Sequence, residues 1–361
     1  MNVVFDAERL RNPASGLGQF CRALGAALLA EQPAGATVTV IAPRKQLGTF
    51  GQGARHIETR WWHRFRSPAT PDVWHATHQD AWIRPPRDVP VVLTIHDLNF
   101  LERADYSARR KALRLATVQR LVDRASVVSA ISAYSASVVG EHLELRGRPV
   151  HVVHSGNPLD TLSGPAGAPT DRRLGALAGK RFFLAMGVLH PKKNVHTLLP
   201  VMREFPDSHL VLAGPANHPY AREVEQRAAA LGVGDRVLIP GAVTDGDRRW
   251  LYEHCDALLF PSLSEGFGLP LVEAMSLGKP VFASRLTSLP EIGGDAARYF
   301  DSFDASSMAG TIRRGLDEYR SNPSRRSALI AHASRFSWAR AARTYWHLYA
   351  EAAGDARARD R

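Results

Sequence analysis

Two glutamates, Glu265 and Glu273, flank a glycine-containing turn and could accept hydrogen bonds from a bound ligand. The surrounding residues 259–274 (LFPSLSEGFGLPLVEA) predict a short strand, a loop and a helix that begins near Pro270. Backbone N–H groups and the positive dipole end at such a helix N-terminus favour an anion such as phosphate. Because carboxylates would repel phosphate, we interpret the glutamates as acceptors for the hydroxyl groups of a sugar and a ribose. The simpler alternative for Glu273 is that it complements the helix dipole.

Two lysines, Lys192 and Lys193, lie in a second turn of similar design. Residues 181–186 predict a strand, and residues 187–194 (GVLHPKKN) lead from it toward a helix. Adjacent lysines ahead of a helix N-terminus could supply positive charge to a pyrophosphate. A pair of solvated lysines on a surface turn is the alternative.

The sequence of residues 265–273 (EGFGLPLVE) resembles the E-x7-E motif of the retaining GT-B glycosyltransferases of family 4. Residues 278–301 (GKPVFASRLTSLPEIGGDAARYFD) resemble the continuation of that motif, and the resemblance extends from Gly16 to Trp338. It implies an α/β protein of GT-B architecture, with two Rossmann-like domains of doubly wound parallel sheet and a cleft between them. Strands that alternate with helices along the chain favour the same fold class.

The resemblance also implies roles for the site residues. In the family the first glutamate of the motif faces the donor sugar and the second binds the nucleotide ribose, which implies these roles for Glu265 and Glu273. Lys193 would bind the donor diphosphate. Many members carry an arginine where this chain has Val188, and Lys192 could supply the missing charge. The remaining donor-binding residues are implied to be those of the intervening loop: Gly266, Phe267, Gly268 and Leu269. The amides of residues 266–268 would stabilise the leaving diphosphate.

The first half of the chain contributes His96 and two glycines. His96 follows residues 89–95, which predict a buried strand, and ligands of α/β sheets bind beyond the carboxyl ends of strands. The resemblance places His96 beside the donor sugar, where it and Glu265 would position the sugar rather than attack it. A structural histidine is the alternative. Gly16 and Gly18 lie in a predicted loop between a strand and a helix, which the resemblance makes the acceptor- or phosphate-facing loop. A simple tight turn is the alternative.

The chain is long enough for two domains. We expect an N-terminal acceptor-binding domain at residues 1–160 and a nucleotide-sugar-binding domain at residues 161–337. A terminal helix at residues 338–361 should cross back to the N-terminal domain. A Gly-, Pro- and Ser-rich segment at residues 161–173 (TLSGPAGAPTDRR) is typical of a linker between the two domains.

We expect neither a metal nor a cofactor, because the nucleotide sugar would serve as a substrate. Asp245 and Asp247 match the D-x-D of metal-dependent transferases of a different fold. They open a predicted helix, however, where Asp245 suits the N-cap and Asp247 suits the helix dipole. His75 and His78 have no accompanying cluster of cysteines or carboxylates, so we interpret them as core or cleft-lining side chains.

Residues 60–66 (RWWHRFR) interleave aromatic and basic side chains, and the formal net charge is +11. This composition suits an anionic membrane surface, a lipid-linked acceptor or single-stranded nucleic acid, while a strand with one apolar face is the alternative. Basic residues in a predicted helix at residues 106–125 could likewise meet anionic lipid or form a solvated face. We find neither an apolar run of the roughly 18 residues that a membrane span needs nor a signal segment. Cys21 and Cys255 are expected to be reduced thiols. We therefore expect a cytoplasmic protein. Peripheral contact with the inner face of the cytoplasmic membrane is the alternative location.

The leading hypothesis from the resemblance is a retaining, metal-independent transfer of a hexosyl group. Residues 288–296 (SLPEIGGDA) resemble bacterial O-antigen and exopolysaccharide mannosyltransferases, which favours GDP-mannose as donor. A lipid-diphosphate-linked oligosaccharide of surface polysaccharide or lipopolysaccharide biosynthesis would be the acceptor. A sugar-nucleotide 2-epimerase of the same fold is the alternative. An oxidoreductase is disfavoured because no G-x-G-x-x-G with a following acidic residue occurs. A basic nucleic-acid-binding module is more remote, since it would not explain Glu265 and Glu273, and we expect no nucleic-acid partner.

Overall fold

The computed structural model describes residues 1–13, 15–103, 105–162 and 167–359. The chain divides into two compact units, of which the first comprises Met1–Pro158 with Phe336–Arg361 and the second comprises Leu159–Arg335. Residues 163–166 of the predicted linker lie outside the described residues. No helix within the described ranges is both long enough and apolar enough to cross a bilayer.

The strands of the first unit are β1 (Asn2–Asp6), β2 (Thr37–Ala42), β3 (Arg55–Glu58), β4 (Val73–Ala76), β5 (Val91–Ile95), β6 (Val127–Ala130) and β7 (Val150–Val152). Those of the second unit are β8 (Arg181–Met186), β9 (Ser208–Ala213), β10 (Val237–Gly241), β11 (Ala257–Phe260), β12 (Val281–Ser284) and β13 (Arg298–Phe300). Each unit forms one sheet, with the orders β3-β2-β1-β4-β5-β6-β7 and β10-β9-β8-β11-β12-β13. All pairings between neighbouring strands are parallel.

The α-helices are α1 (Gly16–Ala30), α2 (Ala108–Arg124), α3 (Ala133–His142), α4 (Arg172–Gly175), α5 (Leu198–Val201), α6 (Tyr220–Ala230), α7 (Asp245–His254), α8 (Leu269–Ser276), α9 (Leu289–Gly293), α10 (Ala305–Ser321), α11 (Ser324–Ala333) and α12 (Trp338–Arg359). The strand runs VVLTI of β5 and ALLF of β11 are buried at every residue. Continuous apolar strands of this kind are typical of parallel sheets covered by helices on both faces.

Successive residues of β4 show that helices cover both faces of the first sheet. Trp74 packs in a core with Val118 and Val122 of α2. On the opposite face, the His75 ring nitrogens lie 2.7 Å from the Tyr349 hydroxyl of α12 and 2.8 Å from the Thr94 hydroxyl. Burial lowers the pKa of His75 to about 3, so this histidine is neutral. It is a hydrogen-bonded core residue, as the sequence indicated.

Two local predictions differ from the structure. Residues 60–66 do not form a strand, because a short 3-10 helix occupies Trp61–Arg64. Helix α7 is capped by Thr244 rather than by Asp245, since the Thr244 hydroxyl accepts from the backbone N–H of Asp247 at 3.0 Å. The hydroxyl one residue earlier is better placed to accept from the third helical residue, which leaves Asp245 as the first residue inside the helix.

Candidate functional site

The order of strands reverses once in each sheet. In the second unit, β8 lies between β9 and β11, so the connections that leave β8 and β11 run to opposite sides of the sheet. Such a switch point opens a crevice at the carboxyl ends of the two strands, where α/β sheets bind ligands. The loop with Lys193 follows β8 and the loop with Glu265 follows β11. The two loops are joined directly, because the Leu263 N–H donates to the Lys192 carbonyl at 2.8 Å.

Lys193 and Glu265 meet at this switch point as an ion pair that also forms a hydrogen bond. Their side chains are only 14% and 12% exposed. Burial lowers the pKa of the Lys193 ammonium, and the Glu265 charge opposes that change. Burial alone would raise the pKa of Glu265, but the charges of Lys193 and Lys192 outweigh it and hold the pKa below the ordinary value. The Glu265 carboxyl is therefore ionised at neutral pH.

The Lys193 side of the pair borders an aromatic ring and a small hollow. The Lys193 ammonium lies 4.9 Å from the centre of the Phe260 ring, at the end of β11. Lys193, Gly187 and Val188 line a small hollow at the carboxyl ends of β8 and β11, together with Phe260 and Pro261. The lysine of the ion pair therefore lines this hollow, and Glu265 is placed beside it through its contact with Lys193. Lys192, half-buried, lies next to it in the same turn.

The Glu265 loop leads into α8 through Gly268, which has a positive φ of 105°. A side chain at this position would be strained, and its Cβ would lie 2.7 Å from Leu289. Gly266, Phe267 and Leu269 are its neighbours in the same turn, so the predicted donor-binding residues are contiguous at the N-terminus of α8. The Phe267 side chain is buried, which leaves backbone groups as its means of binding a ligand.

Three hydroxyl side chains whose contact with Glu265 was not predicted from the sequence hold this residue in place. The Ser262 hydroxyl donates to the Glu265 carboxylate at 2.6 Å. The backbone N–H of Glu265 donates to the Thr287 hydroxyl at 3.1 Å, and the Ser288 hydroxyl donates to the Glu265 carbonyl at 3.0 Å. Thr287 has a φ of 54°, which is unusual for a β-branched residue and marks a strained position. Only the pairing of β11 with β12 brings residues 287 and 288 to this loop.

Glu273 lies in the body of α8, and its side chain forms an ion pair with Arg248 of α7. The two side chains are 1% and 8% exposed, and the Arg248 Nε lies 3.3 Å from a Glu273 carboxylate oxygen. Arg248 was not among the residues predicted from the sequence to belong to the site. The ribose-binding role of Glu273 stays a prediction, and in this structure its carboxylate faces Arg248 rather than solvent.

Asp245 and Asp247 do not converge on a common point. Asp247 accepts from the Thr170 backbone N–H and hydroxyl, both at 2.7 Å, while Asp245 lies 3.9 Å from Arg248. The described residues contain no group of three or more histidine, cysteine, aspartate or glutamate side chains arranged to hold a metal. Asp247 therefore ties the first turn of α7 to Thr170, while Asp245 lies in that turn near Arg248.

His96 lies in the first unit, directly after β5, and its side chain is buried. Its Nε2 lies 2.9 Å from the Thr77 carbonyl, and its ring meets Phe20 edge-on at 4.5 Å between centroids. Burial lowers the pKa of His96 to about 4, so the ring is neutral near pH 7. A carbonyl oxygen can only accept, so Nε2 carries the proton and Nδ1 is the unprotonated nitrogen.

Gly16 and Gly18 are part of helix α1 and not of a loop before it. The cap of this helix is Ser15, whose hydroxyl accepts from the Gly18 N–H at 3.1 Å. A Cβ on Gly18 would lie 2.1 Å from the Asn12 carbonyl oxygen, so the close approach of the preceding turn requires glycine. A Cβ on Gly16 would meet nothing within 4 Å. Both glycines follow β1, which lies at the switch point of the first sheet.

Comparison with known proteins connects this geometry to a family. The profile described as Glycosyl transferases group 1 matches residues 169–334. D-inositol 3-phosphate glycosyltransferase of Mycolicibacterium smegmatis is 30% identical over 336 residues, which cover 87% of this chain and 74% of that protein. O-antigen chain mannosyltransferase B of Escherichia coli is 34% identical over 170 residues, which cover 45% of this chain and 44% of that protein.

Solved structures share the fold at lower identity. HepE of Anabaena, in complex with UDP and glucose, superposes with a TM-score of 0.76 at 20% identity and covers 97% of this chain and 100% of that chain. Sucrose-phosphate synthase of Thermosynechococcus elongatus gives a TM-score of 0.76 at 18% identity, with 97% and 98% covered. At these identities the likeness shows the fold, and it confirms the predicted GT-B class. Together with the relative matched over most of both chains, it establishes that the protein belongs to the group 1 glycosyl transferases and has the GT-B fold.

Proposed function

We propose that the protein transfers a hexosyl group from a nucleotide sugar to a saccharide acceptor, with retention of configuration at the anomeric carbon. The observation that carries this proposal is the buried pair of Lys193 and Glu265 at the switch point of the second sheet. An ammonium and a carboxylate side by side at a switch point suit the two parts of an activated sugar, namely the diphosphate and the sugar hydroxyls. The N–H groups at the N-terminus of α8 add positive potential beside them.

In this mechanism the second unit binds the donor and the first unit binds the acceptor. Lys193, assisted by Lys192, stabilises the negative charge that develops on the diphosphate as the glycosidic bond breaks. Glu265 accepts a hydrogen bond from a donor-sugar hydroxyl, and Glu273 accepts from the ribose. His96 hydrogen-bonds an outer hydroxyl of the sugar. No protein side chain forms a covalent intermediate, and the acceptor attacks from the face on which the diphosphate leaves.

GDP-mannose is the favoured donor, and a lipid-diphosphate-linked oligosaccharide of surface polysaccharide synthesis is the favoured acceptor. The relative named as an O-antigen chain mannosyltransferase supports the mannosyl group and an acceptor from surface polysaccharide synthesis. The relative named for D-inositol 3-phosphate supports an acceptor that carries a phosphate. A sugar-nucleotide 2-epimerase is the second candidate, because it would use the same donor site. It differs in requiring no acceptor.

A thermal-shift screen of nucleotide sugars tests the donor, because a ligand that binds only the folded state raises the melting temperature. We expect GDP-mannose to raise it more than GDP-glucose, UDP-glucose or ADP-glucose. The best donor is then incubated with and without a mannosylated acceptor, and the product is examined by proton NMR for the anomeric configuration. Product formed from the donor alone would indicate the epimerase, and an inverted linkage would contradict retention. We also expect transfer to continue in EDTA.

Thr287 offers a test of how precisely Glu265 must be held. The Thr287→Val substitution keeps the side-chain shape but leaves the Glu265 N–H without its hydroxyl acceptor. We expect kcat to fall about tenfold, the effect of roughly 1.4 kcal/mol, because misplacement of a group that contacts the sugar weakens transition-state binding. Thr287→Ser retains the hydroxyl and should retain most of kcat. Equal losses in the two variants, or a change in the KM for donor alone, would contradict this role.

A further inference from the structure

Residues 60–66, here called the Trp–Arg turn, carry an unusual group of exposed rings. Trp61, Trp62 and Phe65 are 69%, 44% and 61% exposed. No other tryptophan, phenylalanine or tyrosine side chain is exposed in the described part of the chain. Soluble surfaces seldom present contiguous apolar patches, and those they present tend to be interaction sites. The fold does not account for three exposed aromatic side chains on one short turn.

The Trp–Arg turn is held in a defined conformation by its one buried residue, His63. The Arg60 backbone N–H donates to His63 Nδ1 at 3.2 Å, and the Arg84 backbone N–H donates to the His63 carbonyl at 2.9 Å. The exposed rings also contact each other edge to face, with centroids 5.8 Å apart for Trp61 and Trp62. The corresponding distance from Trp61 to Phe65 is 6.4 Å. The rings therefore form a single supported cluster rather than the flexible tip of a loop.

The charge around this cluster is positive. Arg60, Arg64 and Arg66 belong to the turn, whereas residues 59–71 contain no aspartate or glutamate. Arg60 is neutralised by Glu58 at 2.6 Å. Arg64 and Arg66 form no ion pair with the residues that the structure describes, and the Arg64 guanidinium lies 4.7 Å from the centre of the Phe65 ring. Tryptophan rings beside arginine are suited to the interface of a bilayer, where the rings enter the headgroup region and the cations meet anionic lipid.

The Trp–Arg turn lies at the carboxyl edge of the first sheet. Trp61 lies three residues after the end of β3, so the turn is at the carboxyl edge of a sheet whose strands are all parallel. His96 follows β5 and helix α1 follows β1 at that same edge. A surface bound at the Trp–Arg turn would thus face the edge of the first unit that carries its candidate ligand-binding residues.

We propose that the Trp–Arg turn docks the protein on an anionic phospholipid bilayer. The phosphates of the lipid headgroups pair with Arg64 and Arg66, while Trp61, Trp62 and Phe65 enter the interface. Single-stranded nucleic acid is less well matched. Successive bases stack on ring faces spaced along a groove, whereas Trp61 packs edge to face against Trp62 and Phe65. The proposal goes beyond the proposed glycosyl transfer, and binding to lipid does not depend on it.

Sedimentation of the full chain with vesicles tests the proposal. Vesicles of phosphatidylcholine are compared with equimolar phosphatidylcholine and phosphatidylglycerol, in salt of about 0.1 M, where charges near a surface are only partly screened. We expect binding to the anionic vesicles alone. Arg64→Gln/Arg66→Gln should weaken it about thirtyfold. The matched control Arg203→Gln/Arg222→Gln removes the same charge from exposed sites of the second unit and should change binding less than about twofold.

A second measurement reports whether the rings enter the bilayer. Anionic vesicles with brominated acyl chains should quench tryptophan fluorescence in the wild type. Trp61→Phe/Trp62→Phe should bind with similar affinity but lose the quenching, because the other tryptophans in the described ranges are not exposed. Wild-type protein that stays in the supernatant would overturn the proposal. So would equal binding to both vesicle types, equal losses in the arginine variant and its control, or binding to a single-stranded oligonucleotide but not to vesicles.

Discussion

Replacing Glu265 with glutamine should lower the rate of glycosyl transfer by about 10²–10³-fold while the protein remains folded. Glutamine has the same shape, but its neutral amide does not balance Lys193 and would accept the proposed bond from a sugar hydroxyl more weakly than a carboxylate. The Ser262 and Thr287 contacts of the loop can persist, because both can be made to an amide side chain and an unchanged backbone. The loss should therefore fall on the chemistry rather than on the fold.

The same substitution should shift the pH dependence of diphosphate binding to lower pH. In the wild type, burial lowers the pKa of Lys193 and the Glu265 charge raises it. Without that charge, burial and Lys192 lower the pKa with less opposition, so Lys193 loses its proton at a lower pH than in the wild type. Because only the protonated ammonium attracts the diphosphate, GDP affinity should weaken as pH rises, and earlier in the variant.

Initial rates at saturating donor measure the loss of transfer activity, and calorimetric titration with GDP measures the change in affinity. The titration covers about pH 6 to pH 9, because the pKa of Lys193 is already below its ordinary value in the wild type. Glu223→Gln is a matched control, because Glu223 forms an exposed pair with Arg227 on α6, and its loss should leave rate and affinity unchanged. Full transfer activity in Glu265→Gln would refute the position assigned to this carboxylate. An unchanged pH profile for GDP would refute its coupling to Lys193.

Truncation of Arg248 should cause a large loss of stability in the second unit. Arg248→Ala leaves the Glu273 carboxylate buried without its counter-charge, which costs about 3–5 kcal/mol of unfolding free energy. For a unit of this size the melting temperature should fall by about 10 °C. Arg227→Ala is the control, because it removes the same side chain from an exposed helical pair and should cost less than about 0.5 kcal/mol.

A double substitution separates the burial of charge from other effects of truncation. Arg248→Met/Glu273→Leu removes both charges and should recover most of the stability, because replacing a buried pair with apolar side chains is often neutral. Differential scanning calorimetry and urea unfolding measure the changes. A loss below about 1 kcal/mol in Arg248→Ala would show that Glu273 reaches solvent. If Glu273 binds ribose, Glu273→Gln should also weaken GDP binding in the folded variant.

Elements and motifs that depend on neighbouring residues were predicted well from the sequence. The strand at residues 181–186 has the predicted bounds, and the helix predicted to begin near Pro270 begins at Leu269. Apolar runs, caps and turn residues act within a few positions of one another, so their physical effects are visible in the sequence. Thr244 and Asp245 are both residue types that cap helices, so the sequence did not show which of them would be the N-cap of α7.

The pairing of the site residues could be predicted only through a family resemblance. Lys193 and Glu265 are separated by 72 positions, and they meet because β8 and β11 are neighbours in the sheet. Arg248 had no signal in the sequence, since an arginine in an amphipathic helix is most often solvated. Thr287 also had no signal in the sequence. Its strained backbone and its hydrogen bond with the Glu265 N–H arise because the loop after β12 lies beside the loop after β11.

The α/β class, most strands and helices along the chain, and a turn in which a glycine separates a carboxylate from a helix N-terminus were predictable from the amino-acid sequence. The tertiary structure decided the order of the strands within each sheet, and with it which loops lie side by side at the switch point. That order depends on how apolar faces far apart in the chain bury one another, which no local pattern records. The ion pairs of Lys193 with Glu265 and of Arg248 with Glu273 are its consequences.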